Sequence, residues 1–265
     1  MTFFPIYIQA LGILFVSVSL LWCLSLVLKN VSIVDIFWSI GFVIVGSFYA
    51  FKTGEFSPRK YLVLSLLYLW GVRLSLYLLI RNWGKGEDFR YQQFRKNYGA
   101  HRYWWVSFFQ VFLLQGFLIW LISWPLLSTQ FQEANKALTM VDYLAVCCWI
   151  IGFVFESLGD YQLQKFKADS TNKGKVLCTG LWKYTRHPNY FGEALIWWGF
   201  GLFSVATGKY MPLLSPLLMT ILLLKVSGVS LLERSLQKTK PRYADYIKQT
   251  PAFFPWFPKK INDES

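Results

Sequence analysis

Arg186, His187, Asn189 and Glu193 stand within one short stretch, Arg186-His187-Pro188-Asn189-Tyr190-Phe191-Gly192-Glu193, at the head of an apolar run from Ala194 to Ala206. A guanidinium, an imidazole, an amide and a carboxylate so close together are equipped to hold a polar ligand at the mouth of an apolar segment. The Pro188 ring pre-sets φ for a first helical position, which predicts a helix starting there with His187 near its N-cap. The first N–H groups of such a helix and the positive end of its dipole attract anions, and Arg186 and Lys183 add full charges beside them. A phosphate or a carboxylate fits that description. Asn189 and Glu193 are four apart, so they share a helix face and reach one ligand from the same side.

Other stretches carry groups able to bind or react. Glu156, Asp160 and Lys167 fall within about 40° of one another on a helix, giving one stripe of two carboxylates and an ammonium. That stripe either bridges internally or meets ribose, amide or phosphate groups of a ligand. Further on, Glu233 precedes Tyr243 and Tyr246, whose spacing of three puts both rings on one face. They offer a surface for a nicotinamide or adenine ring, or else form an amphipathic interfacial helix.

Asp35 lies about a turn inside an apolar segment, where a carboxylate costs about 2.5–3.5 kcal/mol at mid-bilayer and less nearer the surface. It therefore needs a partner, a water-filled cavity or the dipole of its own helix start. Arg73 lies about 12 Å inside the third apolar segment, too deep for easy snorkelling, and either pairs with Asp35 or contacts a cofactor. Between Arg81 and Arg102 comes a loop with Asn82, Gly84, Lys85, Gly86, Glu87, Asp88, Arg90 and Tyr91. Its two glycines permit close backbone approach to a ligand, whereas a merely solvated loop leaves the alternation of Glu87-Asp88 with Arg90-Tyr91 unexplained. Asp35, Glu87 and Tyr91 are thus the candidate catalytic groups, and Arg73, Asn82, Lys85, Asp88 and Arg90 candidate cofactor contacts. His101 reads as an interfacial histidine, and Trp104-Trp105 as part of an aromatic belt.

The stretch Arg186-His187-Pro188-Asn189-Tyr190, with Gly192 and Glu193, resembles the cofactor signature shared by membrane steroid 5-alpha-reductases, sterol C14-reductases and isoprenylcysteine carboxyl methyltransferases. Within that superfamily the chain most resembles the bacterial branch known as domain of unknown function 1295, best from about Glu156 to Trp256. The resemblance implies a cofactor site made of Glu156, Asp160, Lys167, Arg186, His187, Asn189, Tyr190, Glu193, Glu233, Tyr243 and Tyr246. It implies NADPH or S-adenosylmethionine as cofactor and a bacterial inner membrane as location. Of these NADPH is the first choice, and it fits better than NADH because a 2′-phosphate would sit among Lys167, Lys173, Lys175 and Arg186. The expected reaction is reduction of an activated C=C bond in an apolar substrate, with methyl transfer as the alternative and a non-enzymatic transporter or scaffold as a remoter one. One departure matters. The reductases place a Glu and a Tyr near the substrate carbonyl, but here the corresponding stretch reads Tyr68-Leu-Trp70-Gly-Val-Arg73. Asp35 is the candidate replacement, which moves the expected substrate from a steroid to an enone lipid or isoprenoid.

The composition supplies the setting. With 55% hydrophobic, 20% aromatic and only 15% charged residues, the chain reads as an all-α, polytopic membrane helix bundle rather than a soluble domain. Seven apolar segments approach the length needed to span, near residues 6–28, 31–50, 61–80, 105–128, 139–160, 189–207 and 210–232. They make a single transmembrane domain, with 1–138 as the expected substrate side and 139–265 as the cofactor-binding half. The first segment lacks a basic n-region and a small-residue cleavage site, so it is expected to remain in the mature protein. A net charge of +13 does not signal nucleic acid, because the cations lie in short loops between apolar segments. Twenty of the 27 Lys and Arg fall in one set of loops and five in the other, placing the N-terminus outside and the C-terminus in the cytoplasm. Cys23, Cys147, Cys148 and Cys178 have no ligand spacing, so no metal site and no disulfide framework is expected. The expected partners are membrane lipids and an apolar substrate.

This orientation has a direct test. Trypsin added to inside-out vesicles is expected to cut after Arg90 or Arg95, and saturating NADPH to suppress the cut if the loop covers the cofactor. Right-side-out vesicles are expected to be protected, and cleavage there overturns the orientation.

Overall fold

The computed structural model describes residues 2–54, 57–131, 137–226 and 228–259. Lys136, Lys260 and Ser227, used above for charge counting and for the seventh segment, lie outside them. Every regular element among the described residues is helical. By their contacts these residues form two units, one of Met1–Leu138 with Thr207–Pro212, the other of Thr139–Ala206 with Leu213–Ser265.

In the first unit, α1 (Phe3–Leu28) is apolar on all sides and stops at Lys29, which turns the chain with φ 51°. α2 (Ile33–Thr53) follows at once, and α3 (Pro58–Asn82) starts on a capping bond from the Lys60 N–H to the Ser57 hydroxyl, with Pro58 at its first position. α2 and α3 approach closely where Gly71 leaves no room for a Cβ, which would stand 2.5 Å from Val43 Cγ2. Hydroxyls tie the same seam: Ser39 Oγ donates to Gly71 O (2.9 Å) and Ser75 Oγ to Ile36 O (3.0 Å). After the loop come α4 (Phe89–Tyr98) and α5 (Ala100–Ser107), then a π-helical stretch at Phe108–Leu113 leading into α6 (Leu114–Ile122) and α7 (Trp124–Gln130). Tyr7 on α1 and Trp120 on α6 exchange bonds, the phenol to Trp120 O (3.0 Å) and the indole N–H to Tyr7 O (2.8 Å). In lipid such bonds join helices that hydrophobicity alone cannot draw together.

In the second unit, α8 (Met140–Ala168) opens on a capping box between Thr139 and Asp142. It packs along α9 (Pro188–Val205). Gly152 and Gly192 face each other there, so a Cβ on Gly192 would meet Glu156 N at 2.4 Å and Gly152 O at 2.5 Å. From Leu213 onward, α10 (Leu214–Ile221) and a π-helical stretch at Leu222–Val226 precede α11 (Val229–Thr239) and the short α12 (Tyr243–Gln249).

Five helical runs are long and apolar enough to cross a membrane: Phe3–Leu28, Ile33–Thr53, Pro58–Asn82, Ala100–Gln130 and Met140–Ala168. The chain is therefore an integral membrane protein. The last two expected segments differ in kind from these five. α9 carries Asn189 and Glu193 in its first turns, which lowers its mean hydropathy, and the apolar run Met211–Val226 is shorter than the others. Residues 210–232 do not form one helix, since α11 begins anew at Val229.

The α8–α9 seam predicts a steep dependence on side-chain size. Gly192→Val is expected to lower the thermal midpoint in detergent by the equivalent of about 1–3 kcal/mol, because the new atoms meet backbone that cannot turn aside. Gly12→Ala on α1, with nothing within 4 Å, is the control expected to hold its midpoint. Equal midpoints for both variants would discount the seam.

Candidate functional site

The candidate residues fall into two clusters, one in each unit. In the second unit the order of construction begins at Pro188, which starts α9 with His187 as its N-cap. The imidazole is buried at 1% exposure and lies parallel to the Tyr190 ring, centroids 5.5 Å apart. Its Nε2 is 3.0 Å from Glu233 Oε1, the same oxygen that accepts from Arg186 Nε at 2.7 Å. One carboxylate oxygen thus holds two consecutive residues of the signature. His187 Nδ1 is buried and has no hydrogen-bond partner among the described residues.

Arg186, 7% exposed, reaches further along the C-terminal segment. Its Nη1 donates to the carbonyls of Ile247 (3.1 Å) and Thr250, while its backbone N–H donates to Pro251 O (2.9 Å). Thr185 Oγ1 donates to Phe253 O (2.9 Å), Trp256 N to Tyr184 O (2.9 Å), and the Tyr246 hydroxyl to Trp182 O. Residues 246–256 are therefore strapped onto residues 182–186. Arg186 is met by the protein's own acceptors and acts as the anchor of that strap. On α8, Asp160 Oδ1 accepts from Asn189 Nδ2 (3.2 Å), and Glu156 is buried opposite Gly192. Tyr243 and Tyr246 are buried, Tyr190 and Glu193 half-buried, and Lys167 exposed. The chain segments 156–160, 186–193 and 233–246 thus converge within one unit.

The first unit gathers the loop residues around Asp35. Arg90 Nη2 is 2.6 Å from Asp35 Oδ2, and the Tyr91 hydroxyl donates to Asp35 Oδ1 at 2.6 Å. Asp88 caps α4 by accepting from Arg90 N (2.9 Å), accepts from Arg90 Nε (2.9 Å), and gives its own N–H to Ser32 Oγ (2.7 Å). Glu87 is bound on all sides: Oε1 accepts from Val31 N (2.9 Å) and Arg95 Nη2 (2.9 Å), Oε2 from Arg95 Nε (3.1 Å). Its side chain is 8% exposed, so it serves as the pin of the α1–α2 turn. Asn82, Lys85 and Asp88 line a cleft of about 710 Å³ together with Trp83, Ile33 and Leu79. Asn82 also accepts from Arg81 Nε (3.1 Å), and Arg73 is half-buried on α3.

Burial and pairing set the charges. Burial pushes the His187 imidazole below its ordinary value despite Glu233 beside it. Glu233 would be raised by burial, but the bonds from His187 and Arg186 hold it below the usual carboxylate range. Burial would lower Arg90, and the Asp35 charge overcomes that. Burial and then the Asp35 charge push the Tyr91 phenol well up, so it stays protonated. The second unit's cluster thus holds an imidazole kept neutral beside a fixed carboxylate, and the first unit's cluster holds a phenol hydrogen-bonded to a carboxylate.

Sequence reasoning overlooked Arg95, Ser32 and the strap residues Thr185 and Thr250. Arg95 had a signal, because it stands four residues after Tyr91 on α4. The strap had none, because its bonds are to backbone carbonyls. Among the described residues no group of His, Cys, Asp and Glu could hold a metal ion.

The chain belongs to the family described as "Protein of unknown function (DUF1295)", whose model matches residues 21–250. It is 26% identical over 226 residues to an uncharacterized protein of Schizosaccharomyces pombe, a match covering 77% of this chain and 66% of that protein. The chain thus spans just under two thirds of that relative's length. No solved structure matches it.

The shared Glu233 oxygen makes stability depend on pH in a defined direction. His187 and Glu233 both have lowered folded-state pKa values, so the unfolded chain binds more protons in the window between the folded and unfolded values. Stability is complete above the unfolded histidine value of about 6.5 and is lost as pH falls through the depressed His187 value. Glu233 adds a second loss below the ordinary glutamate value of about 4.3. Thermal scans in detergent from about pH 7.5 to about pH 5 are expected to show the first loss, and His187→Gln to flatten it. An unchanged slope in that variant removes His187 from the account.

Proposed function

We propose that this member of the family is a membrane-embedded reductase of an activated C=C bond in an enone lipid or isoprenoid, with NADPH as hydride donor. The proposal includes the superfamily resemblance carried by Arg186–Glu193 and a bacterial inner-membrane location. It also includes seven crossings, with α9 and Met211–Val226 as the last two, the N-terminus outside and the cofactor site facing the cytoplasm. The observation that carries the reading is the convergence of 156–160, 186–193 and 233–246 around the start of α9, with a buried, unpartnered Nδ1 on His187. An orphaned acceptor beside carboxylates, an amide and two phenols is a donor and acceptor set that fits the ribose and carboxamide parts of a dinucleotide.

In this reading Asp160, Asn189, Glu193 and Tyr190 hold the cofactor, and Glu233 with Arg186 keeps the strap and helix start in place. NADPH, when bound, supplies the hydride. Proton handling falls to the Asp35–Tyr91 pair, whose short bond keeps the phenol oriented. Arg90 lies 5.3 Å from the Tyr91 ring and bonds Asp35, so it offsets negative charge left on the pair when a proton departs. A methyl transfer requires no such proton donor, which is why reduction is preferred here.

Calorimetry on detergent-solubilised protein is expected to find NADPH binding more tightly than S-adenosylmethionine. Asn189→Ala should weaken it by about 1–3 kcal/mol, the cost of an unmet buried polar group. Tyr91→Phe is expected to leave NADPH affinity intact and to slow enone reduction in proteoliposomes by about 10²-fold or more. Tighter binding of S-adenosylmethionine would turn the assignment to a methyltransferase.

A further inference from the structure

A second cleft, of about 530 Å³, lies in the first unit against the turn that ends α1, lined by Ser25, Leu26, Lys29, Val31, Arg95, Tyr103, Trp104 and Ser107. None of these residues belongs to the catalytic or cofactor set. The polar groups are mostly donors. Lys29 is exposed, and its ammonium makes no bond to any described residue. Arg95 gives Nε and Nη2 to Glu87, leaving Nη1 with no acceptor among the described residues, and its guanidinium lies 4.9 Å from the Tyr103 ring. Tyr103 is 0% exposed, yet its hydroxyl has no hydrogen-bond partner among the described residues. The Ser25 and Ser107 hydroxyls already donate to Trp22 O and Trp104 O.

One feature of this cleft is costly unless something occupies it, and a second places a cation on its rim. A buried hydroxyl without a partner costs about 1–3 kcal/mol. Lys29 is the one non-glycine residue at positive φ among the described residues, in a conformation glycine would take without strain. A lysine kept in that place puts an ammonium on the rim of the cleft. The surroundings are interfacial: the turn follows directly on the apolar α1, Trp104 is half exposed, and the Trp22 indole N–H donates to Trp104 O (2.9 Å).

We propose that this cleft binds a phosphate group, that of an anionic membrane lipid whose chains lie along α1, with Lys29, Arg95 Nη1 and the Tyr103 hydroxyl as donors. Two cations and a phenol match the acceptor oxygens of a phosphate, and Leu26, Val31 and Trp104 provide the apolar wall that acyl chains need. Because Glu87 holds both Arg95 and Val31 N, a ligand seated here touches the same turn from which α2 carries Asp35.

The test uses the full chain in detergent, with native mass spectrometry after exchange into phosphatidylglycerol or phosphatidylcholine micelles, and thermal scans with inorganic phosphate. Wild type is expected to retain one phosphatidylglycerol in preference to phosphatidylcholine, and Tyr103→Phe and Lys29→Gln each to reduce retention about tenfold. Tyr103→Phe should at the same time hold or raise the midpoint of delipidated protein, since it deletes a hydroxyl that has no protein partner. Stabilisation by inorganic phosphate alone, lost in both variants, would keep the phosphate site and assign it to a soluble ligand. Equal retention of both lipids, or retention unchanged in both variants with no effect of phosphate, overturns the proposal. A fall in the delipidated midpoint of Tyr103→Phe overturns it too, because the hydroxyl would then serve the fold.

Discussion

A charge that cannot reach bulk water must be met by another part of the chain, and much of this molecule is arranged by that constraint. Taking a carboxylate or guanidinium out of water costs several kcal/mol, and removing one partner of a buried pair is worse than never having built it. Asp35 with Arg90, Glu87 with Arg95, and Glu233 with Arg186 are three answers to the same requirement. In each, the acid and the base come from different elements or from opposite ends of a loop. Satisfying the charge therefore fixes where the loop goes. The segment between α3 and α5 is held over the end of the bundle by Asp35 and by the α1–α2 turn, and the C-terminal segment is held on the start of α9 by Arg186.

The helices beneath these clusters are joined by contacts of a different kind. Where apolar surface faces apolar lipid, burial offers little, and close approach and interhelical hydrogen bonds replace it. Gly71 between α2 and α3, and Gly152 with Gly192 between α8 and α9, remove the side chains that would keep backbones apart. The hydroxyls of Ser39, Ser75, Tyr7 and Tyr49 then reach partners on neighbouring helices. The second seam positions candidate site residues. It sets Glu156 opposite Gly192 and brings Asp160 within bonding distance of Asn189.

The two clusters differ in what they leave available. Around Glu233 the donors of Arg186 are used by the protein, and among the described residues His187 Nδ1 is left without a hydrogen-bond partner. Around Asp35 the phenol of Tyr91 and the guanidinium of Arg90 are held by the two oxygens of one carboxylate. Glu87 shows the contrary case. It has the right chemistry for an acid but is saturated by Arg95 and Val31, and a carboxylate so bound positions other groups.

The sequence by itself determined the local features. Long apolar runs can satisfy their backbone in lipid only as helices, so composition and length led to an expectation of seven spanning segments, of which five are long and apolar enough among the described residues. Pro188 starts α9 because its ring allows little else, and Asn189 and Glu193 share a face because the helical repeat requires it. Glu156 and Asp160 were likewise legible as one stripe. What only the tertiary structure decided is which groups meet. Arg186 bonds a carboxylate 47 residues away and carbonyls beyond it, Asp35 bonds Arg90 on α4, 55 residues away, and Glu87 is taken up in an ion pair with Arg95. Backbone carbonyls carry no residue identity, and a charge in a list of residues does not state its partner. Those pairings follow from where the packed helices bring the loops, and no periodicity along the chain records that.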